Sequence, residues 1–332
     1  MRKYIFLFFI LFTALVTAQP QFSKISSSPG AFSRMGFGAR GMGMGNSMSA
    51  VTYGNLVSYY NPALSAFQEK NAFQTSYSIL SLDRSLNFLN FTRRFDFYSS
   101  SDTSTNRKPR SSAGISLGII NSGVSDIEVR DNQGMKSNVV STSENQFFIG
   151  LANRFSEKFS LGIAIKFYYF KLYEEINSTG FGIDLGALYR INDKFNLSFM
   201  LTDLNSKYKW DSSPIYQEEG SVPEDKFPLI KKIGFSYRDE KSGVLASAEL
   251  EASNKETNIF RFGIEYNIFT DLYLRGGIDQ INLKNKDFPV EPSLGFSFFR
   301  SFNNIRIGVD YAFVVEQYSP TDRHIVGLNV TF

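Results

Sequence analysis

Few side chains in this sequence could carry out covalent or metal chemistry. The 332 residues include one histidine, His324, and no cysteine, so thiol catalysis, disulfides and thiolate metal sites are all excluded. His324 is the single candidate imidazole base, but the sequence has no G-x-S-x-G nucleophile for it to serve. Gly36, Gly38 and Gly41 spell G-x-G-x-x-G, yet Ser26, Ser27, Ser28, Pro29 and Gly30 upstream read as loop, where a dinucleotide site needs a preceding strand. Asp131, Asn132, Gln133 and Gly134 imitate part of a calcium loop without its remaining ligands and read as a turn. The chain is therefore expected to be no enzyme and to hold no metal or cofactor. With 35 basic against 32 acidic residues, it shows no concentrated basic field for nucleic acid.

The chemistry that remains is electrostatic. Arg261 and Glu265, Arg275 and Asp279, and Arg306 and Asp310 each lie four residues apart. Side chains alternate across a strand, so an even spacing places both members of a pair on one face. Glu249 and Glu251 join the same set. Opposite charges on neighbouring strands can mesh, and inside a membrane barrel they must be paired. These residues are expected to form a charge network that fills a lumen, a less natural lining for an apolar channel.

Strands are the elements that must hold those charges. His324, Val326, Leu328, Val330 and Phe332 fall on one face and Ile325, Gly327, Asn329 and Thr331 on the other. The same alternation runs through 305–313, 260–268, 161–169 and 181–190, with large apolar residues on one side and small or charged ones on the other. The composition is aromatic-rich, with 34 Phe and 17 Tyr, and these collect near strand ends, as in interfacial girdles. Fourteen segments result: 71–80, 85–95, 111–121, 145–154, 159–171, 179–190, 195–204, 231–238, 243–253, 258–268, 271–281, 292–300, 304–314 and 324–332. An even count puts both ends of the barrel on one side of the membrane. Connections 156–158, 191–194, 239–242, 269–270 and 301–303 are short and assigned to the periplasm. Those at 122–144 and 205–230 are long and assigned outside, while 96–110 is an anomalously long periplasmic segment. The fold class predicted is an all-β, 14-stranded antiparallel transmembrane barrel in the outer membrane of a Gram-negative-type bacterium, embedded in outer-membrane lipid.

The N-terminus supplies the export signal. Arg2 and Lys3 precede an apolar run from Tyr4 to Val16, and Val16-Thr17-Ala18 offers a cleavage site, so 1–18 reads as a signal peptide. Residues 19–70 lack strand periodicity and are assigned to a hatch inside the lumen, leaving 71–332 for the barrel. Irregular backbone at membrane depth is tolerated only within protein.

Within that hatch, Gly38-Ala39-Arg40-Gly41-Met42-Gly43-Met44-Gly45-Asn46 is followed by Tyr59-Tyr60-Asn61-Pro62-Ala63-Leu64. This wording resembles the N-terminal hatch of the FadL-like superfamily, and within it the PorV/PorQ family of type IX secretion more than the long-chain fatty-acid transporters. The terminal Phe332 likewise resembles an outer-membrane assembly signal. The resemblance implies an occluded fourteen-stranded barrel with Arg40, Gly41, Gly43, Asn61, Pro62 and Ala63 as hatch and binding residues. It implies a protein associated with secretion or attachment of exported proteins, whose partners would be secretion components or those exported proteins. Tyr208, Trp210, Ile215 and Tyr216 in the long outer loop are the expected contacts, since aromatics anchor interfaces. The alternative is a FadL-like transporter of fatty acids or other hydrophobic small molecules. In such transporters a kinked third strand opens a lateral path, which Gly114 and Gly118 could permit here.

Overall fold

A computed structural model describes residues 23–98, 109–172 and 174–332, without the side chains of Tyr216 and Glu219. The expected signal peptide and most of 96–110 lie outside the described residues. The strands are β1 (Ala72–Ile79), β2 (Arg84–Phe97), β3 (Ser111–Arg130), β4 (Lys136–Arg154), β5 (Phe159–Lys171), β6 (Asn177–Arg190) and β7 (Phe195–Trp210). They continue with β8 (Glu224–Lys226), β9 (Ile230–Asp239), β10 (Val244–Ser253), β11 (Asn258–Phe269), β12 (Leu272–Asn282), β13 (Glu291–Phe302), β14 (Ile305–Val314) and β15 (Arg323–Thr331). Fourteen of them close a barrel by nearest-neighbour antiparallel pairing; β8 is a three-residue addition that pairs with the outer end of β7. Closure runs from Ala72↔Thr331 to Ile79↔His324, and Asn71 and Phe332 exchange backbone hydrogen bonds of 3.1 and 3.0 Å at the rim. Both barrel termini therefore share the side that carries the short turns.

Period-two sequence sorts directly into two environments. In β4, Phe147, Ile149 and Leu151 are 45–48% exposed, while the alternate residues Phe148, Gly150 and Ala152 are buried. The belt of Ile163, Ile165, Phe167, Phe235, Phe262, Ile264, Val309 and Leu328 continues around the outside. An apolar surface that wraps a closed barrel is the signature of lipid contact, since water-exposed monomers keep such patches small. His324 faces outward with this belt, its Nδ1 2.7 Å from the Tyr311 hydroxyl, so it has no part in the lumen.

Two expected outer loops are taken up in part by strand. β3 and β4 pair as far as Arg130↔Lys136, whereas β2 ends opposite Val124 and β5 opposite Ser143. Residues 125–142 thus form a two-stranded ribbon standing above its neighbours. The β-branched residues Ile127, Val129, Val139 and Val140 favour the extended backbone. Asp131 caps the tip by accepting from the Gln133 and Met135 amides, both at 2.9 Å, with Gly134 at φ 78°. Likewise β7 runs six residues past its expected end at 204, to Trp210.

Candidate functional site: the hatch and its charged lumen

The wall's small inward residues exist to meet backbone. Residues preceding β1 fold into the lumen as two 3₁₀ turns, Ala31–Arg34 and Pro62–Phe67, and a short helix α1 (Gly38–Gly43). Such irregular chain exposes amides and carbonyls, which the barrel's inward Ser, Thr and Asn residues satisfy. Thr92 donates to the Leu56 carbonyl at 3.0 Å, Ser160 to Ala63 at 3.0 Å, and Ser236 to Ala50 at 2.7 Å. Ser47 and Ser49 of the hatch pair with Ser247 and Ser198 of the wall at 2.7 and 2.9 Å. Inward glycines let the chain come closer still: a Cβ on Gly263 or Gly277 would overlap the backbone of Met44 or Gly45. Gly114 and Gly162 make the same room for Ser65 and Ala63.

The expected hatch residues have distinct local roles. Asn61 caps the Pro62–Phe67 turn by accepting from the Ala63 amide at 3.0 Å, and its Nδ2 donates to the Ser49 and Ala187 carbonyls at 3.1 and 3.2 Å. Pro62 sits where a missing amide costs nothing. Gly41 lies under the Tyr60 ring, where a Cβ would meet the hydroxyl. That hydroxyl lies 2.8 Å from the Phe37 carbonyl and accepts from its amide at 3.1 Å. Gly43 faces Gly295 and Ala312 at ordinary contact distance, so close packing does not demand glycine there. Arg40 carries the charge contact, as its Nε and Nη2 grip both Glu265 oxygens at 3.0 and 2.9 Å and Nη1 donates to the Tyr53 carbonyl at 2.6 Å.

Around that grip the predicted charge network assembles. Arg275 Nε reaches Glu265 at 2.6 Å, so one carboxylate serves hatch and wall together. Arg261 meets Asp279 at 2.5 Å, Glu251 at 2.7 Å and Glu249 at 3.3 Å, and Asp279 accepts from hatch Asn46 at 2.6 Å. The contacts run across neighbouring strands, as expected, and not between residues four apart on one strand; Arg306 and Asp310 are the two that do not join this network. Arg306 lies at the short-turn end of β14, over the Phe299 ring and 3.4 Å from Asp271, four residues along the strand from Asp310. Asp310 is instead satisfied by Ser297 and by Asn329 Nδ2 at 2.5 Å. Spacing put both residues on one face but could not supply their partners on β13 and β15.

Further charges join that spacing did not single out. Lys232 bridges Glu249 and Glu251 at 3.4 and 3.3 Å. Lys166 pairs with Asp184 at 2.7 Å and Asp203 at 3.2 Å, and the Tyr168 hydroxyl donates to Asp203 at 2.5 Å. Asp203 should face lipid by parity. Two successive irregularities in the β6–β7 register, with Asp203 at φ 62°, turn it inward beside Thr202.

The outer aromatic expectation needs correcting. Tyr208 is 1% exposed, and Trp210 packs between Phe170 and Tyr208 at 5.2 and 5.6 Å with its Nε1 donating to Asp225 at 2.9 Å. Because β7 continues through them, both rings fill the barrel's outer end, capped by Phe227, and do not project toward a partner. Ile215 is exposed, and the Tyr216 side chain lies outside the described residues. The two glycines that could have permitted a lateral path make no break in the wall here: β2–β3 pairs continuously from Arg84↔Val124 to Phe97↔Ser111, straight through Gly114 and Gly118. A cavity of about 40 Å³ between α1 and the β1, β14 and β15 wall is too small for an organic solute.

No family model and no curated protein matches the chain. Solved structures do. The toluene transporter TodX of Pseudomonas putida is 14% identical over 89% of this chain and 96% of its own, with a TM-score of 0.57. This chain has the FadL-type barrel fold. The CymD monoaromatic hydrocarbon channel matches at 14% identity, 89% and 97% coverage and a TM-score of 0.59. A Pseudomonas aeruginosa FadL homologue matches at 12%, 89% and 98%, with 0.51. The FadL-type barrel seen here is closed, its hatch held by hydrogen bonds and ion pairs to much of the wall and by apolar packing of Ala39 and Met42 on Ala312, Val314 and Ile325.

Proposed function

We propose that this protein is an outer-membrane channel for uptake of hydrophobic small molecules, captured here with its hatch shut. What supports the reading is a hatch-filled fourteen-stranded barrel whose fold matches hydrocarbon channels along nearly the whole of both chains. The hatch residues then act as the gate: Arg40, Asn61 and Ala63 hold the wall through polar contacts that water can replace, while Gly41 and Pro62 shape the hatch around them. Absence of cysteine allows a clean test. Cysteines at positions 47 and 247, whose serine hydroxyls lie 2.7 Å apart, should form one disulfide tying hatch to wall. In cells lacking their own hydrocarbon channels, uptake of radiolabelled toluene and oleate should require this protein. The double-cysteine variant should lose uptake on oxidation and recover it on reduction. Uptake equal to that of cells without the protein would refute the transport reading.

A second reading, association with protein secretion in the manner of PorV/PorQ, draws on the charged lumen and the projecting 125–142 ribbon. Both edges of that ribbon are unpaired among the described residues, which suits strand addition by a partner. Recovery of exported proteins with the full chain, lost on removing the ribbon, would favour this reading over transport.

A further inference from the structure

The periplasmic end of the lumen is strongly basic. Arg94, Arg154, Arg190, Arg238 and Arg306 all take inward positions at the periplasmic ends of β2, β4, β6, β9 and β14. Three of them meet a carboxylate there: Arg94 pairs with Asp96 at 2.9 Å, and Arg238 and Arg306 reach Glu240 and Asp271 of the adjoining turns at 3.1 and 3.4 Å. Several of the guanidinium groups lie over rings near the hatch: Arg154 and Arg190 flank Phe67 at 5.4 and 5.1 Å, and Arg238 covers Tyr53 at 3.6 Å. The middle of the lumen is different, because its acids already hold its bases.

Within this mouth, two guanidinium donors have no acceptor. Arg275 Nη1 and Arg306 Nε are both buried without a hydrogen-bond partner, although the Arg275 side chain is only 2% exposed. A buried unpaired donor is costly, and two of them around one space are rarely left without a reason. Both residues line one recess of about 50 Å³ beneath Tyr53 and Asn55 of the hatch. A second recess of about 160 Å³ shares Tyr53, Asn55, Arg306 and Thr331 with the first. Glu265 also lines the smaller recess, but its two oxygens are taken by Arg40 and Arg275 Nε. Arg40, Arg275 and Arg306 still outnumber Glu265 and Asp271 here, and Glu69 and Lys70 of the adjoining recess offset one another, so the site keeps a positive charge, two N–H groups without an acceptor and an adjoining space for the rest of a ligand.

We infer that this recess is a carboxylate-binding site on the periplasmic face of the hatch, with Arg275 Nη1 and Arg306 Nε as its donors. Guanidinium N–H groups suit a carboxylate's two oxygens, and the surrounding arginines draw an anion toward the mouth. The carboxylate arrives either on a small free acid or on an acidic segment of a periplasmic protein. The inference does not rest on the uptake reading, since it concerns the opposite face of the hatch and is read by binding alone.

The test is calorimetric titration of the purified full chain in detergent with glutarate, with a hexaglutamate peptide and with inorganic phosphate. At least one carboxylate probe should bind, and Arg306→Gln should weaken that binding about tenfold or more. Arg306 is partly exposed and its substitution leaves the Glu265 pairs intact, so the barrel should still shift its gel mobility on heating. Asn55→Trp, which fills the recess without changing charge, should block binding as well, while outward Arg300→Gln should not. Preference for glutarate identifies a free acid, and preference for the peptide identifies a protein partner. Failure of both carboxylates to bind, binding unchanged in Arg306→Gln and Asn55→Trp, or phosphate binding as strongly as either carboxylate would overturn the assignment.

Discussion

Replacing Glu265 by glutamine removes the one carboxylate that serves both Arg40 of the hatch and Arg275 of the wall. The three side chains are only 12, 4 and 2% exposed for Arg40, Glu265 and Arg275, so water cannot readily take over. Removing one partner of a buried pair leaves an uncompensated charge and costs about 3–5 kcal/mol; glutamine keeps some hydrogen bonding, which argues for about 3. Most of that cost falls on the closed state, because Arg40 regains water when the hatch withdraws. At about 1.4 kcal/mol per tenfold, the released population should rise roughly a hundredfold. Two measurements read this: single-channel recording in planar bilayers, where openings should become frequent, and limited trypsin digestion, which should cut the hatch at Arg40. Adding Arg40→Met to the glutamine variant removes one of the stranded charges and should restore part of the closed population. The reasoning fails if Glu265→Gln, with its barrel intact, shows the same open probability and the same cleavage rate as the native chain.

Gly277→Val should loosen the hatch by steric means, because its side chain would occupy the space of the Gly45 backbone; faster hydrogen exchange at 44–46 is the expected readout. Asn61→Ala removes a cap and two carbonyl contacts, and should cost about 1–2 kcal/mol, seen as a lower temperature for heat-modified gel migration. Trp210 is the sole tryptophan, so Phe170→Ala should shift intrinsic fluorescence to the red by admitting water beside it. Trp210→Ala should destabilise the outer end of β7 and leave solute uptake unchanged, because both Trp210 and Tyr208 are packing residues here.

Barrel architecture was legible because lipid and lumen impose period two on every strand. Segment 159–171 coincides with β5, and most others differ from the observed bounds by one or two residues. Strand extensions were not legible, because above the membrane no lipid face enforces the pattern. There β3, β4 and β7 continue through mixed sequence held only by pairing. Parity also found Arg261, Glu265, Arg275 and Asp279, yet it missed Asp203, since an irregular register reverses the face of whatever follows it. Partners were harder than faces. The four-residue spacings were real but empty of contact, because each residue is claimed by whichever neighbouring strand or turn lies beside it: Arg261 by Asp279, Arg275 by Glu265, Arg306 by Asp271 and Asp310 by Asn329.

The hatch shows the same division at a finer level. The Asn61-Pro62 wording announced a capped turn, and one forms, because cap, proline and amide lie within three residues of each other. Nothing local announced which wall positions would receive it. Those are the inward glycines and serines, spread over strands from β2 to β12, each unremarkable in its own segment. They become intelligible together, as the negative image of an irregular chain that must lose its water without losing its hydrogen bonds. A hatch bound in this way can leave only if water or solute replaces those contacts nearly all at once. That requirement favours a gate that opens as a unit over one that frays residue by residue. Hydrogen exchange in the hatch should therefore show one shared opening rate across 44–63, and a gradient of rates along those residues would contradict it.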